Sequence, residues 1–169
     1  MQQMPDVQKM PIKPLTAAAF TPYGDVLQVA DDKEHFPIND GYTERYHDLA
    51  NIDVADEDGR AIVSIFRSTP LVMPIKIKMM ERHPLSSQAF MPLSQQRYLV
   101  VVAPKGEFNK DKIQVFLAQA TQGVNYHKGT WHHFCLALNK DSDFLVIDRS
   151  GKGSNCDVQQ FDEAMVIEL

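Results

Sequence analysis

Residues 75–80, IKIKMM, decide the class of fold, because they alternate apolar and basic side chains with the period of a β-strand that has one buried face. The next residues, ERHPLSSQAF at 81–90, end this pattern in polar groups. If the strand continues, Glu81 and His83 lie on the same face as Ile75, Ile77 and Met79. A face that begins as hydrophobic core would then end in a carboxylate and an imidazole.

The four residues after His83, PLSS, predict a reversal of the chain. A proline cannot donate a hydrogen bond to a β-ladder, and serines favour turns. The reversal would bring Gln88 back beside Glu81 and His83, so that three donor groups converge. The alternative, on the residues alone, is a polar strand end in which Glu81 is solvated or pairs with Arg82.

Six further segments read as strands, because they are rich in Val, Ile, Phe and Tyr and are separated by Pro, Gly, Asn, Asp or Ser. With residues 75–83 the set comprises 61–68, 87–93, 97–104, 112–119, 132–138 and 143–150. Helical signals are limited to 14–20, with Thr16 as N-cap, and a short turn near 159–164.

The sequence therefore predicts a single all-β domain over residues 1–169, an antiparallel sandwich or barrel with one or two short helices. Residues 1–12 are its expected flexible end. The residues expected in its core include Ile75, Ile77, Val100, Val115, Phe134 and Phe144.

The segment RYLVVVAP at 97–104 is apolar on both faces. A strand of this kind is expected at the centre of a sheet or under a cover, since an exposed edge so hydrophobic would aggregate. A homodimer interface is one such cover.

Composition narrows the class of function. The 169 residues carry 17 Lys and Arg against 22 Asp and Glu, a net charge of −5, which argues against a nucleic-acid surface. The chain has no apolar run near the roughly 20 residues of a membrane helix, and no secretory signal, so we expect a cytoplasmic protein that acts on a small molecule. In that compartment Cys135 and Cys156 are expected to remain thiols.

A second dense stretch, GVNYHKGTWHHF at 123–134, holds three histidines, a tyrosine and the only tryptophan. Alternation back from Phe134, Leu136 and Leu138 puts His132 on their face and His133 on the opposite face. An inward His132 arriving opposite Glu81 and its neighbours would complete a set of N and O donors for a divalent metal such as Ni, Mn, Fe or Zn. The alternative is a histidine satisfied within the core.

These residues resemble the metal motifs of cupins. Glu81, His83 and Gln88 resemble the first motif, H-x-H followed by E, with Glu and Gln as replacements. HKGTWH at 127–132 resembles the second, P-x-G-x-x-H, with His127 in place of the proline.

Longer segments resemble the ureidoglycolate lyase family, formerly called ureidoglycolate hydrolase: INDG, ERYHDLA, ERHPLSSQAFMPL, QGVNYHKGTWHH and DFLVIDRSGKGSNCD. The resemblance runs from about Leu15 to the C-terminus. It implies a cupin-type β-barrel, a homodimer and cleavage of (S)-ureidoglycolate to glyoxylate and urea in purine (allantoin) catabolism. It also implies a divalent metal and no organic cofactor.

The metal positions that match the family are Glu81, His83, Gln88 and His132. The candidates for acid, base or orienting roles are His83, Tyr126, His127 and Asp148. Arg67 and Asn39 are candidates for binding the substrate, Arg67 because a guanidinium holds a carboxylate in a bidentate contact. Each has a structural alternative: a surface charge for Arg67, a rim aromatic for Tyr126, a pair with Arg149 for Asp148 and a turn for Asn39.

Other functions remain open at this stage. A metal-dependent cupin could instead be an amidohydrolase that releases ammonia, or a dioxygenase. A barrel with weak metal ligands could also be a non-catalytic sensor of a small ligand.

Overall fold

The computed structural model describes residues 7–169, apart from the side chains of residues 163 and 164. The strands are β1 (Ile12–Pro14), β2 (Gly24–Leu27), β3 (His35–Ile38), β4 (Thr43–Tyr46), β5 (Arg60–Ser68), β6 (Ile75–Arg82), β7 (Gln88–Pro92), β8 (Tyr98–Ala103), β9 (Gln114–Ala118), β10 (Gly123–Tyr126), β11 (Trp131–His132), β12 (Leu136–Ala137), β13 (Ser142–Ser150) and β14 (Asp157–Ile167). The helix α1 (Ala17–Phe20) and 3-10 turns at Asn39–Gly41, Asp56–Asp58 and Lys110–Lys112 complete the elements. Of the expected flexible end at 1–12, residues 1–6 lie outside the described residues.

The strands form two main sheets. The larger sheet has the order β1-β9-β8-β11-β6-β14, with β12 also paired to β8, and the smaller has the order β2-β10-β7-β13-β5. Strands β3 and β4 form a separate hairpin. All of these pairs are antiparallel except β1 with β9. The all-β prediction is confirmed, and the arrangement is consistent with the expected cupin-like barrel.

The space between the two sheets holds one hydrophobic cluster, here called the inner core. Its members include Phe20, Val26, Phe90, Val100, Val102, Phe116, Val124, Tyr126, Phe144 and Val146. On β10, Val124 and Tyr126 face this core, so Asn125 between them faces the outside of the smaller sheet. This alternation decides which polar groups share a site.

A second cluster, the outer core, lies on the other face of the larger sheet. Its members include Ile75, Ile77, Met80, Leu99, Val101, Ala103, Val115, Trp131, Leu136, Leu138, Met165 and Ile167. Strand β8 therefore contributes alternate residues to both clusters, and all six of its residues are buried within one chain. The prediction of a central, covered strand is confirmed, and β8 needs no partner chain to cover it.

The alternation along β6 breaks before it reaches the polar residues. Ile75 and Ile77 pack in the outer core, but the next buried residue is Met80 rather than Met79. The pairing of β6 with β14 shifts register over this stretch, as in a β-bulge. The prediction that Glu81 continues the face of Ile75 is therefore wrong, because a one-residue shift turns Glu81 to the inner side.

A similar break follows His132. The predicted strand 132–138 is two short strands, β11 and β12, separated by residues 133–135. Trp131, not His132, packs with Leu136 and Leu138 in the outer core. Phe134 lies in the break and is 44% exposed, so its predicted burial is wrong. The other five residues expected in the core are buried.

The helical predictions have different outcomes. Thr16 caps α1 as predicted, since its Oγ1 accepts a hydrogen bond from the Ala19 amide at 3.2 Å. The predicted turn at 159–164 is wrong, because this segment belongs to the irregular strand β14. Among the described residues, no helix has the length and apolar character required to cross a membrane.

Candidate active site with a metal-binding set

Polar side chains from both sheets meet at one end of the inner core. β6 ends at Arg82, a turn follows at Pro84, and the chain crosses from the larger to the smaller sheet to begin β7 at Gln88. β11 brings His132 opposite Glu81 as its pairing partner. The reversal predicted from PLSS is therefore present and places His83 beside Gln88.

Close polar contacts through Gln88 link His83 to Asp148. The Gln88 Nε2 donates to Asp148 Oδ2 at 3.1 Å, so the Gln88 Oε1 is the atom that faces His83 Nε2 at 3.1 Å. The other ring nitrogen, His83 Nδ1, lies 2.7 Å from the carbonyl oxygen of Asn155. That oxygen can only accept, so His83 Nδ1 carries a hydrogen.

This arrangement places two hydrogen-bond acceptors, His83 Nε2 and Gln88 Oε1, face to face. With the Nδ1 proton committed to Asn155, the neutral His83 ring presents a lone pair at Nε2 toward the lone pair of Gln88 Oε1. Two such atoms at 3.1 Å repel each other unless a proton or a cation lies between them. A metal-bound histidine commonly has this geometry, donating its second ring N–H to a carbonyl while the first nitrogen binds.

His132 offers a second unused lone pair. Its ring is 1% exposed, and its Nδ1 lies 3.1 Å from the carbonyl oxygen of His133, to which it donates. The buried Nε2 has no hydrogen-bond partner among the described residues. Burial, with a smaller contribution from the nearby His83, lowers the pKa of His132 to about 3, so the ring is neutral at physiological pH and can act as a ligand.

Glu81 completes a compact set with the two histidines. One ligand atom from each of Glu81, His83 and His132 lies within 4.8 Å of the others. A metal ion at about 2.1 Å from each ligand separates ligand atoms by at most about 4.2 Å, so small side-chain motions close the set. The carboxylate and the two imidazoles, of which His132 has a buried and unpartnered Nε2, fit a borderline divalent ion.

Tyr126 lies directly against this set. Its ring stacks on the His132 ring with centroids 4.2 Å apart and an interplanar angle of 1°. Burial raises the pKa of the Tyr126 phenol well above its ordinary value, so the hydroxyl keeps its proton. Tyr126 therefore fixes the plane of His132 and offers a hydrogen-bond donor, rather than the exposed rim aromatic that was the alternative.

The simple pairings proposed as alternatives are not formed. Arg82 binds Asp157 at 2.9 Å and stacks over Trp131, which leaves Glu81 without it. Glu81 instead accepts a long 3.7 Å hydrogen bond from the Cys156 thiol.

Asp148 is likewise not paired with its neighbour in sequence. The Arg149 guanidinium donates to the backbone carbonyls of Asp56, Glu57 and Lys152. Asp148 Oδ1 is buried with no hydrogen-bond partner among the described residues.

The two predicted substrate-binding residues are not brought to this site. The Arg67 guanidinium holds Asp143 with two hydrogen bonds, at 2.8 and 3.0 Å, and lies opposite it on β5. Since Asp143 and Asp148 are five residues apart on β13, Arg67 lies roughly 17 Å along the strand from the site. Asn39 is exposed in the turn between β3 and β4, where it donates to Thr43.

His127 lies on the other side of the smaller sheet from Tyr126. Its Nε2 is 3.1 Å from Asp25 Oδ2, and Asp25 pairs with the outward-facing Asn125. His127 therefore lines a polar cavity on the outside of this sheet and is not grouped with His83 and His132.

Sequence reasoning missed Asn155, which holds the site together. Its backbone oxygen accepts from His83, its Oδ1 accepts from the Leu85 amide at 2.7 Å, and its Nδ2 donates to Ser86. The Asn155 side chain thus fixes the turn after His83. A polar residue in a Gly-rich loop gives no local signal for this, because the contact spans about 70 residues of sequence.

Comparison with known proteins agrees with the resemblance in the motifs. Residues 7–168 match the family model described as ureidoglycolate lyase. A protein of Burkholderia mallei named ureidoglycolate lyase is 50% identical over 159 residues, covering 94% of this chain and 93% of its own. Proteins of the same name from Pseudomonas syringae pv. syringae and Pseudomonas putida are each 48% identical, over 96% and 94% of this chain and 96% and 95% of their own.

Proposed function

Because the chain belongs to the ureidoglycolate lyase family, we propose that it is a ureidoglycolate lyase that splits (S)-ureidoglycolate into glyoxylate and urea. The observation that supports this most strongly, beside the family, is the unsatisfied donor set at the end of the inner core. His132 Nε2 and Asp148 Oδ1 are both buried without hydrogen-bond partners in the part of the chain that the structure describes. Buried polar atoms are costly when unpaired, so this set favours a site for a ligand over a structural core.

We assign Glu81, His83, Gln88 and His132 as the residues that would hold a divalent ion such as Ni, Mn, Fe or Zn. When bound there, the ion would supply Lewis-acid chemistry that acidifies the substrate hydroxyl and orients its carboxylate. The amide of Gln88 is fixed by Asp148, so its oxygen is the atom presented to the site.

The reaction requires two proton movements. The substrate hydroxyl loses its proton as its oxygen forms the new carbonyl, the C–N bond breaks, and the departing nitrogen takes up a proton to give urea. Asp148 Oδ1 is our candidate for the base, since it is buried beside Gln88 and has no other partner among the described residues.

Tyr126 is our candidate for the donor to the departing nitrogen. Its phenol remains protonated because burial raises its pKa, and no described residue accepts a hydrogen bond from it. The stack against His132 holds the ring close to the donor set. His83 keeps its Nδ1 proton on Asn155 and contributes its other nitrogen to the site.

We also propose that the protein forms a homodimer through the outer face of β5. Val63 and Ile65 on this edge strand are 66% and 63% exposed, and they pair with the half-buried Ile147 and Leu145 of β13. An edge strand with an apolar outer face is prone to pair with another chain, and a two-fold axis would place the same residues of two copies together.

A cytoplasmic location accords with the state of the cysteines. Cys135 and Cys156 are both free thiols, and Cys156 is exposed. Exposed thiols persist where the compartment is reducing.

The activity is tested by incubating the purified protein with racemic ureidoglycolate and assaying glyoxylate, urea and ammonia separately. A lyase releases one urea per glyoxylate from one enantiomer and no ammonia. Release of ammonia would identify an amidohydrolase, and a requirement for oxygen would identify a dioxygenase. Binding without turnover would identify a sensor, and each of these three outcomes would overturn the proposal.

A further inference from the structure

A second polar cavity lies on the outside of the smaller sheet, away from the donor set. Its volume is about 310 Å³, within the range of small-ligand sites. The residues that line it come from separate parts of the chain: Asp25, Asn51, Asp53, Ser87, Lys105, His127 and Lys128. Since Asn125 and Asp25 face outward while Tyr126 faces the inner core, the sheet itself separates this cavity from the candidate active site.

The wall of the cavity is fixed by hydrogen bonds. Asp25 Oδ2 accepts from Asn125 Nδ2 at 3.0 Å and from the Asn51 amide at 3.3 Å, and His127 Nε2 lies 3.1 Å from the same oxygen. The Asp53 amide donates to Ser87 Oγ at 2.9 Å, which ties the covering loop to the start of β7. A cavity held in this way is formed before a ligand arrives.

Three groups on this wall have no partner among the described residues. Asp25 Oδ1 is free because both hydrogen bonds to this carboxylate, and the His127 contact, go to Oδ2. His127 Nε2 lies 3.1 Å from a carboxylate oxygen, which can only accept, so the neutral form of the ring has its hydrogen on Nε2 and a lone pair on Nδ1. The Lys105 ammonium is an unpaired cation, whereas Lys128 is neutralised by Asp53 and Asp56 at 3.2 and 2.6 Å.

We propose that this cavity is a second ligand site for a small monocarboxylate that also carries N–H groups, the class of ureido acids. Lys105 binds the carboxylate, while Asp25 Oδ1 and His127 Nδ1 accept hydrogen bonds from the N–H groups at the other end. Two neighbouring acceptors and one cation match these two ends of the ligand.

The backbone connects the cavity to the donor set. His127 and Lys128 lie in a turn closed by the Thr130 amide and the His127 oxygen at 3.0 Å, with Gly129 at φ +81°. The Gly129 amide donates to the His83 carbonyl at 3.0 Å, and His132 follows two residues after the turn. A ligand held by His127 therefore acts on the segment that positions both histidines.

The test is calorimetric titration with N-carbamoylglycine, which has the ureido and carboxylate ends but lacks the hydroxyl whose deprotonation expels urea. We expect two sites on the wild-type chain, one at the donor set and one in the cavity. Lys105→Ala should weaken the cavity site at least about tenfold, with Lys105→Arg retaining most of the affinity. Lys140→Ala, at another exposed lysine, is the matched control and should change neither site.

The double variant His83→Ala/His132→Ala separates this inference, which does not depend on the proposed activity, from the activity itself. It should retain only the site that depends on Lys105. If the wild-type chain shows a single site and Lys105→Ala abolishes it, the result supports the cavity site and counts against the proposed active site. If the double variant does not fold, the wild-type and Lys105→Ala titrations decide. Identical binding by Lys105→Ala and Lys140→Ala would overturn the inference.

Discussion

The two faces of β10 carry their polar groups in different arrangements. On the outer face, the Asp25 carboxylate that pairs with Asn125 takes two hydrogen bonds on one oxygen, which also lies 3.1 Å from His127 Nε2. On the inner side, the Tyr126 ring covers a His132 whose buried Nε2 has no partner among the described residues. The same strand thus separates a wall whose carboxylate is tied to its neighbours, although Asn125 Oδ1 is buried there without a partner, from a donor set in which both His132 Nε2 and Asp148 Oδ1 lack one among the described residues.

The difference indicates where a ligand is needed. An unpaired buried acceptor lowers the free energy of unfolding by about 1–3 kcal/mol. Stability alone therefore gives no reason for such an atom to be present. The outer wall keeps its hydrogen bonds when no ligand is bound, whereas the inner set gains its missing interactions only when a ligand binds. We therefore expect substitutions on the inner side to affect chemistry far more than stability.

The largest expected effect comes from the inner histidines. His83→Ala and His132→Gln should each lower kcat/KM for ureidoglycolate at least about 1000-fold, because each removes a donor from the set. His133→Gln is the adjacent control, since His133 is buried but lies outside the set, and it should lose less than about tenfold. Near-normal turnover in both inner variants, with folding verified by circular dichroism, would remove the basis for this site.

Substitution of Tyr126 separates its two assigned roles. Tyr126→Phe keeps the stack on His132 and loses the hydroxyl, so kcat should fall about 100-fold while metal retention stays unchanged. Tyr126→Leu loses the stack as well and should also weaken metal retention. If Tyr126→Phe turns over like the wild type, the phenol is not the proton donor and only the positioning role stands.

The apolar outer face of β5 gives a prediction about assembly. Val63→Lys or Ile65→Lys should weaken the homodimer more than about tenfold, because each places charge at the centre of the interface. Sedimentation over a range of concentrations measures this, with Lys76→Ala on the exposed face of β6 as control. A monomeric wild-type protein at micromolar concentration would rule out the proposed interface.

A smaller effect concerns the stability of the metal-free protein in acid. His132 has a pKa of about 3 in the folded chain against an ordinary value of 6.5, so between these values the unfolded chain binds a proton that the folded chain does not. The free energy of unfolding should therefore be independent of this group above pH 6.5 and fall by up to about 1.4 kcal/mol per pH unit below it. His132→Gln should show a shallower loss in urea unfolding with EDTA present, and equal slopes would contradict the assigned burial.

The fold class could be predicted from the alternation of apolar and polar residues. The face of the sheet on which each side chain lies could not always be predicted. Residues 75–80 gave the strand β6, yet the shift between Ile77 and Met80 reversed the face of Glu81, and no local pattern marks a bulge set by the partner β14. Glu81 lies on the inner side of the sheet because of this shift, and not because it continues the face of Ile75. The predicted burial of Phe134 is wrong for a similar reason, since residues 133–135 interrupt the strand.

The site was predictable where donors lie close in sequence and not where they meet across the fold. Gln88 returns to His83 because the turn between them is short. Asn155 and Asp25 make contacts over long separations, which leave no local signal. Arg67 was misplaced because a strand-end arginine looks the same whether it faces a substrate or, as here, Asp143.

The central claim is that Glu81, His83, Gln88 and His132 form one metal-binding set required for turnover. The most direct measurement is titration of nickel or manganese into EDTA-treated protein, with bound metal and urea release followed in the same samples. We predict one ion per wild-type chain, with activity rising in proportion to occupancy, and neither binding nor activity in His132→Gln. Full activity in chelated wild-type protein, or equal metal binding by His132→Gln, would contradict the account.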